Sequence, residues 1–315
     1  MDRQEAVDRR TQAGQGGPQP EDGKKIGGAR RRQALIGVLA LLVAVALVCL
    51  AAFLVKKPQE PGADVQTVKA DVSRVTGDQE KYRKLKSVGR QPPSADGQGG
   101  ITLVSKKAVD ADIPTVDVYL DFMCPFCGEV SRAVDPTLTR MLNAGQIRVS
   151  LHILDFLDRL STDEYSSRAA SAVATLADKD PSHVMPVVES FFGRDFQPPE
   201  EHYTPVPAKM LADRMVKAGV DETLAAQAAR GEYVEWAKAV NDYTITRKDI
   251  EDTKGEVSTP TFLVNGRFWD LSAVKGGDGA VTDSLLRSLG MAKDKVGDPS
   301  VLPSIGSKGK ALPIS

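Results

Sequence analysis

Two cysteines two residues apart, Cys124-Pro125-Phe126-Cys127, follow directly on the apolar run Val116-Asp117-Val118-Tyr119-Leu120-Asp121-Phe122. On a turn from strand into helix, such a pair is a dithiol that can close to a disulfide and reopen. Pro125 suits the first turn of a helix, where its missing N–H removes no hydrogen bond. The first sulfur then lies where unpaired backbone N–H groups and the helix dipole favour negative charge, which brings its thiolate within reach near neutral pH. That is the chemistry of thiol-disulfide exchange.

Metal binding is the competing use of the pair. A tetrahedral zinc site needs two more ligands, and His152, His183, His202 and the carboxylates show no recognisable spacing towards it, so no metal is expected. The third cysteine, Cys49, lies in a hydrophobic stretch without an evident mate. No structural disulfide framework is available, and a bridge in the rest of the chain must use Cys124 and Cys127. A formal net charge of −1 over 315 residues gives no reason to expect a nucleic-acid partner.

The pair needs elements to hold it. Residues 101–104 and 115–122 have strand character, a helix is predicted from Pro125 to about residue 143 with Gly145 as its stop, and residues 146–154 read as another strand. A long helical stretch follows, about 158–250. In it Ala169, Ala170, Val173, Ala174 and Ala177 recur at helical spacing, as do Met210, Leu211, Met215 and Val216. Pro181, Pro186, Pro198-Pro199 and Gly219 divide it into several helices. Strand chemistry returns at 259–264, Asn265-Gly266 is a two-residue hairpin signal into 267–271, and a last helix over 278–289 stops at Gly290. A helical insertion thus splits the sheet, and the globular unit covers residues 100–292.

Residues 34–55 are almost wholly apolar, long enough as a helix to cross a hydrocarbon core of roughly 30 Å. Lys24, Lys25, Arg30, Arg31 and Arg32 precede them, against Lys56 and Lys57 just after, which puts the N-terminus in the cytoplasm and the dithiol outside. A cleaved signal peptide ending near Ala44-Val45-Ala46 is the alternative, although the apolar run continues well past it; a lipoprotein at Cys49 has bulky Leu47 and Val48 against it. Each of these readings exports the domain. Residues 1–33 read as a disordered cytoplasmic tail, residues 56–99 as a juxtamembrane linker with a short helix around 65–85, and residues 293–315 as a disordered C-terminal tail.

The order strand, Cys-Pro-Phe-Cys on a helix start, strand, helical insertion, then Ser258-Thr259-Pro260-Thr261 before a hairpin resembles the DsbA-like thiol-disulfide oxidoreductases of the thioredoxin superfamily, especially the membrane-anchored forms of actinobacteria. The resemblance covers roughly residues 100–292. It implies an α/β thioredoxin fold with a helical insertion, here preceded by a single transmembrane helix. It makes Cys124 the attacking thiolate, Cys127 the resolving thiol that releases a mixed disulfide, and Pro260 the cis-proline facing them. Thr259 would pair with an extended substrate, and Pro125 and Phe126 would offer it an apolar platform. No cofactor is implied. The implied partners are unfolded exported polypeptides with free thiols and a quinone-linked membrane partner of the DsbB or VKOR type, with the lipid bilayer holding residues 34–55.

Two positions depart from the pattern. The best-known DsbA enzymes carry His where this chain has Phe126, which predicts a thiolate less acidic than DsbA's value of about 3.5 and a milder oxidant. Thioredoxins commonly bury an acid six residues before the nucleophile, where this chain has Val118; Asp117 and Asp121 point to the opposite face of the strand, and a solvated or capping role is expected for Asp121, with help in deprotonating Cys127 as the alternative if the strand bends near the site. His152, Trp236 and Trp269 are expected to be structural, and the carboxylates from Asp249 to Glu256 to be solvated. Other readings remain beside the oxidase: a glutaredoxin-like enzyme, suggested by the Cys-Pro-Phe-Cys motif and Gly276-Gly277-Asp278; a reductase or isomerase; and a non-enzymatic peptide-binding protein.

Overall fold

In the computed structural model the described residues are 64–70, 75–252, 254–277 and 279–314. The expected tail at 1–33, the apolar helix at 34–55 and Cys49 lie outside them. Among the described residues no helix is long and apolar enough to cross a membrane.

Six strands form one sheet: β1 (Val65–Val68), β2 (Ile101–Ser105), β3 (Thr115–Asp121), β4 (Arg148–Leu154), β5 (Thr261–Val264) and β6 (Arg267–Trp269), in the order β1-β2-β4-β3-β5-β6. β3 and β4 run parallel, from Thr115 opposite Arg148 to Asp121 opposite Leu154, while the other neighbours are antiparallel. A parallel pair needs a crossover. Helix α2 (Pro125–Asn143) supplies it, with the bounds its Pro125 and Gly145 predict. The earlier helix, α1, spans Gln79–Ser87.

Between β4 and β5 come α3 (Tyr165–Lys179), α4 (Val184–Phe191), α5 (Ala208–Lys217), α6 (Glu222–Ala228) and α7 (Val234–Thr244), which form the expected insertion. Along α3, Ala169, Ala170, Ala172, Val173 and Ala174 are all buried, as are Ser166, Ser167 and Ser171. Small side chains on several faces let neighbouring elements approach closely all round. In α5, Leu211 and Met215 are buried but Met210 and Val216 are exposed, so only half of that apolar pattern faces the core. The last helix, α8 (Ala280–Leu289), ends at Gly290 with φ +66 and packs on α2, where the Thr282 hydroxyl donates to the Ala133 carbonyl at 2.7 Å. Asn265 (φ +51) and Gly266 (φ +70) make the two-residue turn between β5 and β6.

Three segments differ from the sequence expectation. The region 65–85 is a strand, β1, added to the open edge of β2, and a shorter helix, α1, capped by Asp78 accepting the N–H groups of Glu80 and Lys81. β-Branched Val65, Thr67 and Val68 take the extended edge over the helix. Residues 91–100 do not behave as a free linker. They fold around Asp96, whose carboxylate accepts from Gln98 N–H (2.7 Å) and Gly100 N–H (3.0 Å), and Gly99 at φ +90 lies so close to Val240 that a Cβ would come within 2.4 Å. Residues 293–314 are not a loose tail but a strap over the domain. Buried Gln146 donates to the carbonyls of Lys295, Asp298 and Val301 and accepts from Gly297 N–H; Asn265 donates to those of Gly306 and Gly309; and Ile305 is buried.

Candidate active site

The site grows from the carboxyl end of β3. Asp121, the last residue of that strand, is fully buried and its carboxylate accepts from Met123 N–H (2.9 Å), Leu157 N–H (3.0 Å) and the Ser166 hydroxyl (2.6 Å). Burial pushes its pKa up to about 7 against those hydrogen bonds. The carboxylate is therefore a cap of the turn, and the solvated alternative is excluded. Its backbone carbonyl accepts Cys124 N–H at 3.0 Å, which aims the next turn into α2.

Cys124 is the N-cap of α2, with extended backbone (φ −67, ψ 118), and its Sγ accepts Cys127 N–H at 3.4 Å. Its side only just reaches solvent, at 8% relative exposure, whereas Cys127 lies one turn deeper in the core. Both are free thiols. The Cys124 pKa is lowered to about 6, chiefly by the Cys127 side chain hydrogen-bonding to it; burial works the other way, and the Cys127 N–H, Thr259 and Phe126 N–H add to the lowering. Burial, together with the hydrogen bond and charge of Cys124, pushes Cys127 well up. The two sulfurs are thus shifted in opposite directions, and the Cys127 side chain contributes more to the lowered Cys124 pKa than the N–H groups of the helix start do.

The second half of the site comes from before β5. The Thr259-Pro260 bond is cis. Because β5 pairs with β3 in the register Tyr119 opposite Thr261, residues 259–260 arrive at the end of β3 beside the cysteines. The Thr259 carbonyl accepts from the Cys124 thiol at 3.6 Å, the Thr259 side chain lowers the pKa of each sulfur, and its buried hydroxyl is within hydrogen-bond distance of no partner among the described residues. The structure therefore brings Cys124, Cys127, Thr259 and Pro260 together. Phe126 stands on the rim, 52% exposed, next to exposed Pro125. Pro125, Gln197, Pro198, Pro199, Glu200 and Glu201 line a cavity of about 380 Å³ beside the nucleophile.

Residues expected to be structural are placed so. His152 stacks on Tyr119 with ring centroids 4.2 Å apart, its Nε2 lying 3.3 Å from the Ser150 hydroxyl and 3.4 Å from the Asp117 carboxylate. Trp236 is buried, and Trp269 donates to the Ser288 hydroxyl at 2.9 Å. Asp249 is not simply solvated: it pairs with buried Arg247. Val118, at the position where thioredoxins bury an acid, is part of the apolar core. Gln197 escaped sequence reading altogether. It donates to the carbonyls of Phe122 (3.2 Å) and Cys124 (2.8 Å) from 73 or more residues away, and only the neighbouring Pro198-Pro199 marks its segment as a loop.

Residues 110–281, more than half of the chain, match the thioredoxin family model Thioredoxin_4. The chain belongs to the thioredoxin family. Among proteins of this fold, DsbA of Mycobacterium tuberculosis in its oxidised form is 27% identical, covering 50% of this chain and 75% of that one with a TM-score of 0.43. The MdbA thiol-disulfide oxidoreductase of Corynebacterium matruchotii is 22% identical, covering 61% of this chain and 94% of that one with a TM-score of 0.47. A curated relative, the serine/threonine-protein kinase PknE of Mycobacterium tuberculosis, is 34% identical over 88 residues. Those residues are 27% of this chain, and the match spans 16% of the kinase's length.

Proposed function

We propose that this thioredoxin-family protein is an exported, membrane-tethered thiol-disulfide oxidoreductase that introduces disulfides into exported polypeptides. The observation that carries the reading is the polarised pair: Cys124 as an N-capping thiol beside Thr259-Pro260 with its pKa lowered to about 6, and Cys127 buried behind it with its pKa raised. In the oxidised enzyme a substrate thiolate attacks the Cys124 sulfur, forming a mixed disulfide as the bond to Cys127 breaks and Cys127 takes up a proton. A second substrate thiolate then attacks the substrate sulfur of that mixed disulfide, and Cys124 leaves as the thiolate. Two electrons pass to the enzyme and one disulfide forms in the substrate.

Thr259 offers backbone to an extended substrate, and Pro125 and Phe126 offer apolar surface. Reoxidation falls to a quinone-linked membrane partner of the DsbB or VKOR type, and residues 34–55 supply the bilayer anchor with the catalytic unit outside. No cofactor enters the cycle.

A reductase or isomerase is the second reading, favoured by the Cys124 pKa itself. About 6 lies well above the roughly 3.5 of DsbA and below the roughly 7 of thioredoxin. Titration of the pair against glutathione separates the two directions: a potential of about −120 mV supports the oxidase, and about −270 mV supports a reductase. The oxidase is tested with the full chain in detergent, oxidised and mixed with reduced, unfolded ribonuclease. Recovery of ribonuclease activity is expected, with its loss in Cys124→Ser; full activity in that variant defeats the proposal.

A further inference from the structure

Among the described residues of the insertion, Gln197 is the side chain that hydrogen-bonds to the backbone of the nucleophile. Its Nε2 donates to the Cys124 carbonyl at 2.8 Å and to the Phe122 carbonyl at 3.2 Å, while its Oε1 accepts from Arg132 Nη1 at 3.4 Å. Arg132 Nη1 also donates to the Phe192 carbonyl at 2.8 Å, so the guanidinium is fixed from a second side. The orientation of the amide is determined by these neighbours. Turned over, its oxygen would face two carbonyl oxygens and its NH₂ would face a guanidinium. Gly128 keeps the space open: a Cβ there would lie 2.0 Å from Gln197 Oε1 and 2.7 Å from Arg132 Nη1.

We infer that Gln197 is a positioning residue for the Cys124 sulfur, holding the two peptide planes on either side of Met123-Cys124 and so tying the helical insertion to the reactivity of the thiolate. The inference rests on Cys124 being the nucleophile of the proposed function. The contact between Cys124 Sγ and Cys127 N–H, at 3.4 Å, depends on rotation about the Cys124 Cα–C bond, and that rotation moves the carbonyl Gln197 holds. Pro125 has no N–H with which to brace the same turn. Gly128 N–H also donates to the Cys124 carbonyl, at 3.1 Å, but from within α2. Gln197 is the brace from outside the helix, and its N–H dipoles point their positive ends at the turn where the negative charge forms.

The test reads the thiolate directly. The full chain is reduced and its absorbance at 240 nm followed against pH, alongside Gln197→Met, which keeps the length and loses both donors, and Gln197→Glu, which replaces the donors with charge. Gln197→Met should raise the Cys124 midpoint by roughly 0.5 unit, about a threefold loss in the thiolate-to-thiol ratio, and Gln197→Glu by more. Gly128→Ala, which displaces the amide without altering it, should give a similar rise, and the two changes together should not add. A midpoint within about 0.1 unit of wild type in both Gln197→Met and Gly128→Ala, or one that falls, overturns the inference even if the melting temperature drops. No substrate enters this measurement, so failure of the ribonuclease assay with a moving midpoint would count against the proposed function alone.

Discussion

Where β3, β4 and β5 begin or end at Thr115, Arg148 and Val264, side chains and the C-terminal strap take up one backbone group after another. Asn265 accepts Thr115 N–H, Arg148 donates to the carbonyls of Val109, Ala111 and Ile113, and Asp112 holds both the N–H and the hydroxyl of Ser307. At the opposite end of the same strands, Cys124 Sγ has contacts of 3.4 and 3.6 Å, the Thr259 hydroxyl has no hydrogen-bond partner among the described residues, and Phe126 stands half in solvent. Both ends hold their backbone with ordinary hydrogen bonds, Asp121 and Gln197 doing so at the site, but there the sulfur itself is left with only long contacts. The contrast assigns stability to the strapped end and reactivity to the open end.

That assignment can be broken by mutation. The largest effect should come from Gln146→Ala, which removes two N–H groups shared among three strap carbonyls and one accepted bond at a fully buried site. Urea denaturation is expected to show a loss of about 2–4 kcal/mol, with the Cys124 titration unmoved. A shifted thiolate midpoint would mean that the two ends are coupled.

At the open end, Cys127→Ala removes the largest cause of the lowered Cys124 pKa, so the midpoint should climb from about 6 by at least about one unit, a tenfold change in thiolate ratio. Alkylation rates against pH measure it. The same lowered pKa makes the fold of the reduced protein pH-dependent. A thiol whose folded pKa is about 6 and whose unfolded pKa is about 8.5 adds stability that is complete above about pH 8.5 and disappears as pH falls through about 6. Comparing denaturation of reduced and oxidised protein between pH 5 and pH 8.5 should therefore show the reduced form gaining on the oxidised form as pH rises. A flat difference would show that Cys124 is not the titrating group.

Phe126→His should have the smallest effect on the fold, within about 0.5 kcal/mol, because the ring is half exposed. Its effect belongs to the sulfur: an imidazolium beside the N-cap lowers the Cys124 pKa further and makes the disulfide more oxidising, by about 30 mV for each 1.4 kcal/mol of thiolate stabilisation. A glutathione titration of the variant gives the shift, and an unchanged potential would detach residue 126 from the redox balance.

The open end was far more legible in the sequence than the strapped one. Pro125 and Gly145 punctuate α2, Asn265-Gly266 announces its turn, and Cys124-Cys127 identify themselves by type and spacing, while Thr259-Pro260, weak alone, is read through the family resemblance. Each of these is a local signal. The strap is written in Gln146 and Arg140, which collect carbonyls about 150 residues away, and in Asn265, which collects carbonyls 41 and 44 residues away, and no periodicity records such contacts. β1 failed for a related reason: four residues, Val65–Val68, take their conformation from the edge they join. Gln197 lies at the open end yet was equally hidden, because its role depends on which backbone it meets and not on what it is. Asp121 was only half legible, since its spacing suggested a cap but could not show that Ser166 and Leu157 would enclose it.

The sheet's two borders, β1 with four residues and β6 with three, carry a consequence for the molecule's surroundings. An exposed strand edge is a template on which another chain can lengthen the sheet, and short edges limit how far such growth can run. A protein that meets unfolded polypeptides as its regular clients, as proposed for this one, is offered such chains continually. Among the described residues the borders are four and three residues long, which leaves such a chain little edge along which to extend the sheet.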